Sequence, residues 1–499
     1  MIILNHPSLS SHEQITRQRQ IRALRRYLGH VVLPFSPFYR DQWRRQGFDP
    51  NKLRTWDDLR RIPFTSKEDL LPDNEHPTKP RDLILAPERS QLLRRPSTIA
   101  SALIIGKRNT QQMLEREFRP ILMTTTTGRS TEPVSFVYTA RDVARLGDAG
   151  ARVMEVCGAQ RDFRMLNMFP YAPHLAFWIT HYAAMTFGTF TLSTGGGKVM
   201  GTDGNLRAIA RLEPDILIGV PTFVYHVMHH AIQDCVRMPK LKKIVLGGEK
   251  VPNGMRRKLR AMAAELGAER VDVITTYAFT EAKMAWSECP RAPEEEPCGY
   301  HLYPDLGIIE IVNPDTLEPV GEGEPGEIVF TPVGARGSVV IRYRTGDVTD
   351  GGVVWEPCPG CGRRVPRLIG DISRRSDVRP LQLAKLKGTL VDFNVLEHIL
   401  DDCQDVGTWQ IELRKHNNDP LDLDELILHV MKHGDEDDEI LETHLHHLFA
   451  SRLELHPNRI EFHSAAEMSR IQGLGVEIKE QRIVDHRPQT AEQKGVSHV

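Results

Sequence analysis

Several features are scarce or absent in this chain of 499 residues, and each absence excludes a class of protein. Lys and Arg total 64 and Asp and Glu total 66, so the net charge of −2 gives no indication of nucleic-acid or anionic-membrane binding. No apolar run approaches the ~18 residues of a membrane-spanning helix. The N-terminus lacks the basic region and the long apolar run of a signal peptide. These absences predict a cytoplasmic protein with no membrane or nucleic-acid partner.

Cysteine is also scarce, and its distribution argues against a disulfide scaffold. The chain has seven cysteines, an odd number spread over a long sequence. Internal repeats and low-complexity segments are absent from the sequence. Hydrophobic residues make up 40% and charged residues 26%, which is an ordinary globular balance, and the length indicates about two to four domains.

The hydrophobic pattern predicts a large α/β region. Residues ~10–60 have helical spacing, and from about 120 to 290 short apolar runs alternate with helical patterns. The runs "PDILIGV", "KKIVLGG" and "VDVITTY" are typical of buried strands. Such strand–helix–strand repetition predicts a parallel sheet covered by helices. Ligands bind these sheets at the carboxyl ends of strands, so the polar turns after the runs are candidate sites.

The rest of the sequence predicts two further units. Residues about 300–370 alternate between apolar and polar side chains around Asn-Pro-Asp and Gly-Glu-Pro-Gly turns, which predicts an antiparallel β-rich subdomain. After about residue 377, helical and alternating patterns mix, which predicts a separate α+β domain of about 120 residues. The predicted fold class is therefore α/β: a large N-terminal domain with parallel-rich sheets and a β-rich subdomain, then a small C-terminal α+β domain.

Four polar stretches carry the chemistry, and each has an ordinary structural alternative. They are "TTTTGRSTEP" (124–133), "GGEKVP" (247–252), "TTYAFTEA" (275–282) and "IRYRTGDVTD" (341–350). The first offers backbone N–H groups, hydroxyls and a guanidinium for phosphate, although it lacks the glycines and the Gly-Lys-Ser/Thr ending of a Walker loop. The second lets a flat ring approach its glycines, or it is a strand-to-helix turn with an acidic residue near the helix start.

The third and fourth stretches add an aromatic ring, a carboxylate for a cation and a carboxylate for hydroxyls. Tyr277 offers a face for stacking, while Thr280 and Glu281 offer a hydroxyl and a hard carboxylate suited to Mg²⁺ beside phosphates. Asp347 is suited to accept hydrogen bonds from ribose hydroxyls. The alternatives are a Thr-Glu helix start for the third stretch and a hairpin turn for the fourth.

In this order and at these separations, the four stretches resemble the adenylate-forming superfamily of acyl-CoA synthetases, nonribosomal-peptide adenylation domains and luciferase. That superfamily has a Ser/Thr/Gly-rich loop, then Gly-Gly-Glu, then Tyr-Gly-x-Thr-Glu, then Tyr-Arg-Thr-Gly-Asp. Four more segments are similar to its phenylacetate–CoA ligase branch: "SPFYRDQWRRQGFDPNKLRTWDDLRRIPFTSKEDL", "STGGGK", "CPGCGRRVPRLIGDISRRSD" and "IKEQRIVDHR". The resemblance covers nearly the whole chain.

The resemblance implies an AMP-forming ligase that works in two steps. A carboxylate attacks the α-phosphate of ATP to give an acyl-adenylate and pyrophosphate, and the thiol of coenzyme A then displaces AMP. It implies Mg²⁺, a small carboxylic acid that family analogy favours as aromatic, and a mobile C-terminal domain that rotates between the steps. Two alternatives stay open: an amine or another non-CoA acceptor in a biosynthetic reaction, and a non-catalytic nucleotide-binding homologue. Dimers are common in the branch, which leaves a homodimer open.

The resemblance also implies roles for individual residues. Lys479 bridges the carboxylate and the α-phosphate as they join, and Asp377 is the hinge between domains 1–375 and 376–499. The acid pocket contains Tyr171, Phe177, Trp178 and Gly196, although the aromatic residues are equally suited to packing under the sheet. The nucleotide is held by phosphate-binding Thr124, Thr126, Thr127, Gly128 and Arg129, by Gly248, Glu249, Thr276 and Tyr277 around adenine, by Thr280 at the α-phosphate, by Glu281 through Mg²⁺, and by Asp347 and Arg375 at the ribose.

Cysteine and histidine residues form a candidate zinc site. Cys358 and Cys361 form a Cys-x-x-Cys pair, and Cys289, Cys298 and His301 lie upstream of it. Zinc takes four nitrogen or sulfur ligands in structural sites. Some members of the branch carry a structural zinc held by one Cys and one His upstream and two Cys downstream. The resemblance thus implies Cys289, His301, Cys358 and Cys361 as ligands, with Cys298 as a substitute, and reduced cysteines without metal are the alternative.

The chain departs from the superfamily pattern at several positions. In the phosphate loop, Thr125 replaces a glycine and Arg129 replaces lysine, and in the stretch that resembles Tyr-Gly-x-Thr-Glu, Ala278 replaces the glycine. Near the hinge, Arg374 replaces a glycine and Val378 an aspartate. These changes spare the groups that bind AMP and fall partly on the thioester side, which is why a non-CoA acceptor stays open.

Overall fold

The computed structural model describes residues 11–72, 79–126, 133–374, 378–383, 386–415, 424–434, 437–453, 457–473 and 481–487. None of the helices in these ranges has the length and apolar character to span a membrane. The helices are α1 (Ser11–Tyr27), α2 (Leu33–Phe35), α3 (Pro37–Gln46), α4 (Lys79–Asp82), α5 (Arg89–Leu93), α6 (Pro96–Ile105), α7 (Lys107–Phe118), α8 (Ala140–Val156), α9 (Leu175–Phe187), α10 (Gly197–Leu212), α11 (Pro221–Gln233), α12 (Asn253–Glu265), α13 (Phe393–Asp402), α14 (Asp438–Leu453) and α15 (Ala465–Ile471). Short 3₁₀ or π segments cover Leu28–Val32, Pro50–Lys52, Trp56–Arg61, Glu68–Leu70 and Thr280–Ala282.

The strands form several separate sheets. In chain order they are β1 (Pro120–Thr125), β2 (Ser135–Thr139), β3 (Arg164–Asn167), β4 (Phe190–Ser193), β5 (Ile216–Gly219), β6 (Lys243–Gly247), β7 (Asp272–Phe279), β8 (Met284–Ser287), β9 (Tyr300–His301), β10 (Gly307–Val312), β11 (Gly326–Pro332), β12 (Tyr343–Thr349), β13 (Val353–Val354), β14 (Arg367–Leu368), β15 (Ile372–Arg374), β16 (Val378–Leu383), β17 (Leu386–Asp392), β18 (Val406–Lys415), β19 (Asp424–Lys432), β20 (Arg459–Phe462) and β21 (Ile483–Asp485). This mixture of parallel and antiparallel sheets with packed helices confirms the predicted α/β class.

The largest sheet has the order β4-β3-β5-β6-β7-β8 and is parallel except for β8. Its central strands β5 and β6 are buried along their whole length, which explains their continuous apolar runs. Helix α12 lies between β6 and β7, as its amphipathic pattern predicts, and Gly267 follows it with a φ of +95°. Helices α10, α11 and α12 share a buried core with this sheet.

The predicted end of β7 at Tyr277 is wrong, because the strand continues to Phe279. Tyr277 and Phe279 pair with Trp286 and Met284 of β8, and the chain turns back at Lys283, whose φ is +56°. Aromatic side chains on one face of the hairpin pack together and favour this extension: the Tyr277 and Trp286 rings are stacked with centroids 5.9 Å apart. The turn proper is thus the 3₁₀ segment Thr280–Ala282.

The predicted β-rich region is confirmed as two antiparallel sheets, β10-β11-β12-β15 and β13-β14-β9. Asp347 lies inside β12 and not in a hairpin turn, opposite Arg374 of β15. The register between β11 and β12 shifts between Arg344 and Val348, and Gly346 in this stretch has a φ of +73°. A glycine is therefore required at this bulge, which directs the next side chain.

The C-terminal part forms its own sheet, β20-β19-β18-β21, with α13 and α14 packed on it. It contacts the rest of the chain through α12 and α13, where Gly254 approaches the backbone of Asp401 so closely that a Cβ atom would lie 1.9 Å from its carbonyl oxygen. The predicted hinge Asp377 lies outside the described residues, so the division at residue 376 stays a prediction.

Candidate active site

The parallel strands bring their following turns together along one edge of the large sheet. Tyr171 follows β3, Gly196 follows β4, Glu249 follows β6 and Glu281 follows β7. Because the strand order is β4-β3-β5-β6-β7, the acid-pocket candidates lie at one end of this edge and the magnesium candidate at the other. This is the edge at which open parallel sheets bind ligands.

The base of the predicted phosphate loop is a closed hairpin. Thr124, on β1, is buried and donates a hydrogen bond from its hydroxyl to Tyr138 at 3.1 Å. Thr126 and Val134 close the loop: the Thr126 N–H donates to the Val134 carbonyl at 3.0 Å, and the Val134 N–H donates to the Thr126 hydroxyl at 2.9 Å. Thr127, Gly128 and Arg129 lie outside the described residues.

Thr125, which replaces a superfamily glycine, ties the phosphate loop to the acid-pocket segment. Its N–H donates to the Pro173 carbonyl at 2.5 Å, and its carbonyl oxygen lies 3.0 Å from His174 Nδ1. Thr125 is on β1 and is not among the described non-glycine residues with positive φ. The threonine therefore carries no backbone strain at a position where a glycine is usual.

The second stretch turns at Gly248, whose φ is +91°. Glu249 does not lie at the start of α12. Its Oε2 accepts hydrogen bonds from the Thr222 hydroxyl at 2.8 Å and from the Thr222 N–H at 3.4 Å, in the first turn of α11. This places the carboxylate against the positive end of α11. Thr276 lies behind the turn, and its hydroxyl donates to the Leu246 carbonyl at 2.9 Å.

The third and fourth stretches meet, although about 70 residues separate them in the sequence. Tyr277 donates a hydrogen bond from its hydroxyl to Asp347 Oδ2 at 2.9 Å, and Tyr343 donates one to Glu281 Oε1 at 2.8 Å. Arg374 Nε lies 3.1 Å from Asp347 Oδ1. Two carboxylates are thus held in fixed orientations beside one guanidinium.

The electrostatics of this group favour a cation. Burial raises the pKa of Glu281, and the charge of nearby Asp347 raises it further, against the hydrogen bond from Tyr343 and the charge of Arg374. The pKa of Arg374 is raised chiefly by Asp347. A half-buried carboxylate with a raised pKa is stabilised by further positive charge, which favours the binding of Mg²⁺.

The predicted stacking face of Tyr277 is not exposed. The residue is 8% exposed and its ring packs against Trp286 and Phe279. The reason is the extension of β7, which puts residues 277 and 279 on the buried face of the strand. The hydroxyl of Tyr277, which positions Asp347, is the group that points to the site.

Three residues of the site were missed by the sequence reasoning: Lys67, Tyr343 and Arg374. Thr65 pairs with Tyr343 and so brings the N-terminal segment to the site, where burial and the charge of Arg374 lower the pKa of Lys67. The motif that resembles Tyr-Arg-Thr-Gly-Asp contained Tyr343 but gave no role to its hydroxyl. Arg374 was noted only as a lost glycine. The predicted ribose ligand Arg375 and the predicted catalytic Lys479 lie outside the described residues.

The acid-pocket candidates divide into surface and core. The Tyr171 ring is exposed, lies 4.6 Å from the Phe177 ring between centroids, and donates a hydrogen bond to the Ser193 carbonyl at 2.9 Å. Gly196 has a φ of +69° and precedes α10. Phe177 is buried in the core and Trp178 packs partly against it, which matches the packing alternative.

The predicted zinc ligands Cys289, His301, Cys358 and Cys361 come together in the structure. Their ligand atoms all lie within 4.8 Å of one another, with Cys289 Sγ 3.7 Å from Cys358 Sγ and Cys361 Sγ 3.2 Å from His301 Nε2. His301 Nδ1 lies 3.2 Å from the Ser287 carbonyl, so Nε2 is directed at the thiols. Cys298 is buried beside this group but does not belong to it among the described residues.

Comparison with known proteins shows what the chain is similar to. The family model described as AMP-binding enzyme matches residues 126–335. Phenylacetate-coenzyme A ligase from Thermus thermophilus is 26% identical over 363 residues, which are 72% of this chain and 70% of that protein. The corresponding ligase from Pseudomonas putida is 24% identical over 417 residues, or 83% of this chain and 81% of that protein. All four of these curated relatives are phenylacetate-coenzyme A ligases, at 24% to 26% identity.

Solved structures of a ligase share the fold of this chain. A 2-hydroxyisobutyryl-CoA ligase in the postadenylation state, in complex with R3-HIB-AMP, has a TM-score of 0.72 at 18% identity. The match covers 96% of this chain and 91% of the ligase chain. The same ligase with 2-HIB-AMP and CoA in the thioesterification state has a TM-score of 0.58, with 98% and 92% covered.

Proposed function

We propose that the protein is an AMP-forming ligase that activates a small carboxylic acid, of which an aromatic acid is the first candidate, with ATP and transfers the acyl group to coenzyme A. The observation that carries the proposal is the pair of oriented carboxylates, Glu281 and Asp347, held by two tyrosine hydroxyls at the ligand-binding edge of the sheet. Support comes from the AMP-binding match and from relatives named phenylacetate-coenzyme A ligase.

In the first step, a carboxylate oxygen of the acid bonds to the α-phosphorus of ATP, and the bond from that phosphorus to pyrophosphate breaks. Both reactants are anions, so the site must supply positive charge. Glu281 fits a magnesium ligand, because its carboxylate is half-buried and fixed by Tyr343. Mg²⁺ bound there would neutralise phosphate charge. Lys479, by resemblance, approaches from the C-terminal part.

The nucleoside is held through Asp347. Its Oδ2 is fixed by Tyr277, and its Oδ1 is paired with Arg374, whose side chain is largely exposed. Ribose hydroxyls would donate to this carboxylate, with Arg374 sharing Oδ1 or turning towards solvent. Arg374 thus orients the carboxylate before the nucleotide binds.

In the second step, the thiol sulfur of coenzyme A bonds to the acyl carbon and AMP leaves with the oxygen that came from the acid. We propose that the part after residue 376 rotates about Asp377 between the steps, so that one face presents Lys479 and another opens to the thiol. An amine acceptor would attack the same carbon and give an amide.

The assay that tests this proposal is pyrophosphate release across a panel of aromatic and small aliphatic acids, with and without coenzyme A, with products identified by mass. We expect release that depends on both the acid and Mg²⁺, AMP as the nucleotide product, and an acyl-CoA thioester when coenzyme A is present. Amides formed with amines, and no thioester, would favour the other acceptor. A folded protein that releases no pyrophosphate with any acid would support the nucleotide-binding alternative.

We also propose a structural zinc ion at the cluster of Cys289, His301, Cys358 and Cys361. The three thiols and the imidazole fit the ligand set that zinc prefers. We expect metal analysis of protein purified in reducing buffer to find zinc, and Cys361→Ser to lose one ion per chain and to melt at a lower temperature. Cys235→Ser, which removes an exposed cysteine outside the cluster, is the control. Equal zinc content in Cys361→Ser and in the unaltered protein would exclude this site.

A further inference from the structure

A second group of metal-ligand side chains lies in the C-terminal sheet, far along the chain from the active-site motifs. His429 is on β19 and lies directly opposite Glu461 of the parallel neighbour β20. His463 follows β20 immediately, and its N–H donates to the Val430 carbonyl at 2.8 Å. Residues 461 and 463 are two apart on an extended segment, so their side chains lie on the same face as His429. These three residues are the His–Glu cluster.

The ligand atoms of the His–Glu cluster converge on one point. His429 Nδ1 is 2.9 Å from His463 Nε2 and 3.5 Å from Glu461 Oε2, and His463 Nε2 is 3.9 Å from the same Oε2. Nitrogen and oxygen ligands bind zinc at about 2.0–2.1 Å, so ligand atoms at tetrahedral angles are about 3.3–3.4 Å apart. The three observed separations lie on both sides of that value.

A fourth residue, Glu412 of β18, orients His429 for this role. Glu412 Oε2 lies 3.1 Å from His429 Nε2, so the carboxylate accepts the Nε2–H hydrogen bond and leaves the lone pair of Nδ1 directed into the cluster. A carboxylate behind a histidine, on the ring nitrogen that faces away from the ion, is the usual support of a metal-bound imidazole. The cluster therefore has an outer partner as well as three ligands.

The surroundings leave the ligands available. Arg459 approaches Glu461 at 3.8 Å, but through Oε1, the oxygen that faces away from the histidines. The exposed fraction of the side chain rises from 9% at His429 through 18% at His463 to 39% at Glu461. One side of the cluster is thus open to water.

We propose that the His–Glu cluster is a second metal site, which binds a first-row divalent cation of the zinc type through His429, Glu461 and His463, with water as a fourth ligand. Two imidazoles and one carboxylate select such a cation over Mg²⁺ or Ca²⁺, which prefer oxygen ligands only. The ion joins β19, β20 and the segment that begins α15. Because Met468 of α15 packs with the core of α11 and α12, the ion stiffens the part of the C-terminal sheet that contacts the N-terminal part.

The test is a count of bound ions in the full chain. Protein stripped with a chelator in reducing buffer is titrated with Zn²⁺ against a competing chromophoric chelator, and bound metal is measured after desalting. We expect the unaltered protein to bind one more ion per chain than His463→Gln or Glu461→Gln. Both replacements are at partly exposed side chains, so they leave the buried His429 in place. His446→Gln, on α14, is the matched control and should keep every ion.

Two further readouts separate this site from the cysteine cluster and from a folding defect. With Co²⁺, the thiolate charge-transfer band should belong to the cysteine cluster alone and persist in His463→Gln, while the added ion contributes only weak bands. In chelator, His463→Gln and the unaltered protein should have the same melting temperature. Added Zn²⁺ should raise the melting temperature of the unaltered protein by more than it raises that of His463→Gln. Equal ion counts in His463→Gln and the unaltered protein would overturn the proposal.

Discussion

Replacing Lys479 with alanine is expected to slow formation of the acyl-adenylate by about 10²–10³-fold, while transfer of the acyl group from a supplied acyl-adenylate to coenzyme A stays nearly unchanged. The reason is that the lysine ammonium acts only where the carboxylate and the α-phosphate, both anions, come together. Lys479 lies four residues before β21, the edge strand that pairs with β18 in the C-terminal sheet. Its placement at the reacting atoms rests on the resemblance of "IKEQRIVDHR".

The two half-reactions are measured separately for this variant. Acid-dependent exchange of labelled pyrophosphate into ATP reports adenylation, and single-turnover thioester formation from the synthetic acyl-adenylate reports transfer. Lys432→Ala is the matched control, because it removes a lysine of the same sheet whose ammonium is paired with Asp438. If both half-reactions fall equally in Lys479→Ala, the assigned role is refuted.

Glu281→Gln is expected to lower activity and raise stability in the same protein. Glutamine can still accept the Tyr343 hydrogen bond, but it cannot supply the negative charge that holds Mg²⁺, so we expect acid-dependent pyrophosphate release to fall by about 10²-fold. The substitution also removes a half-buried carboxylate whose ionisation burial disfavours, so the variant should melt at a higher temperature. Thermal melts in chelator measure the change in stability, and the pyrophosphate exchange assay measures the change in activity.

The stability gain of Glu281→Gln should grow with pH. Burial raises the pKa of Glu281, so the folded protein holds its proton to a higher pH than the unfolded chain does, and stability falls as pH rises from the ordinary glutamate range through the raised pKa. The glutamine variant lacks this component. The difference in melting temperature should be small at about pH 4 and larger at about pH 8. A difference that shrinks with rising pH would contradict the burial of this carboxylate.

Local patterns in the sequence were sufficient for the elements whose burial is uniform. The central strands β5 and β6 are buried at every residue, and α12 has one apolar face, so apolar runs and helical spacing predicted them. The end of β7 was missed, because its last residues are fixed by pairing with β8 and by aromatic packing. A strand end set by a partner strand leaves no signal in its own residues.

The candidate active-site residues also divide into those that local sequence patterns predict and those that only the fold brings together. Glu281 and Asp347 were predicted as site residues because each lies in a motif of fixed spacing. Their partners Tyr343 and Tyr277 are 62 and 70 residues away, and only the fold joins them. Arg374 was missed because a side chain that replaces a glycine is naturally interpreted as a loss, whereas it supplies the cation beside Asp347. The His–Glu cluster was not predicted from the sequence, because histidines within an alternating polar and apolar pattern are typical of an ordinary strand.

The central claim is that the acid itself attacks the α-phosphorus of ATP, and the path of the acid's oxygen tests it most directly. An acid accepted in the panel is labelled with ¹⁸O in its carboxylate and turned over with ATP, Mg²⁺ and coenzyme A, and the products are analysed by mass. The account predicts one labelled oxygen in the phosphate of AMP, unlabelled pyrophosphate and an acyl-CoA that keeps the other oxygen. ADP with the label in inorganic phosphate, or AMP without any label, would contradict it.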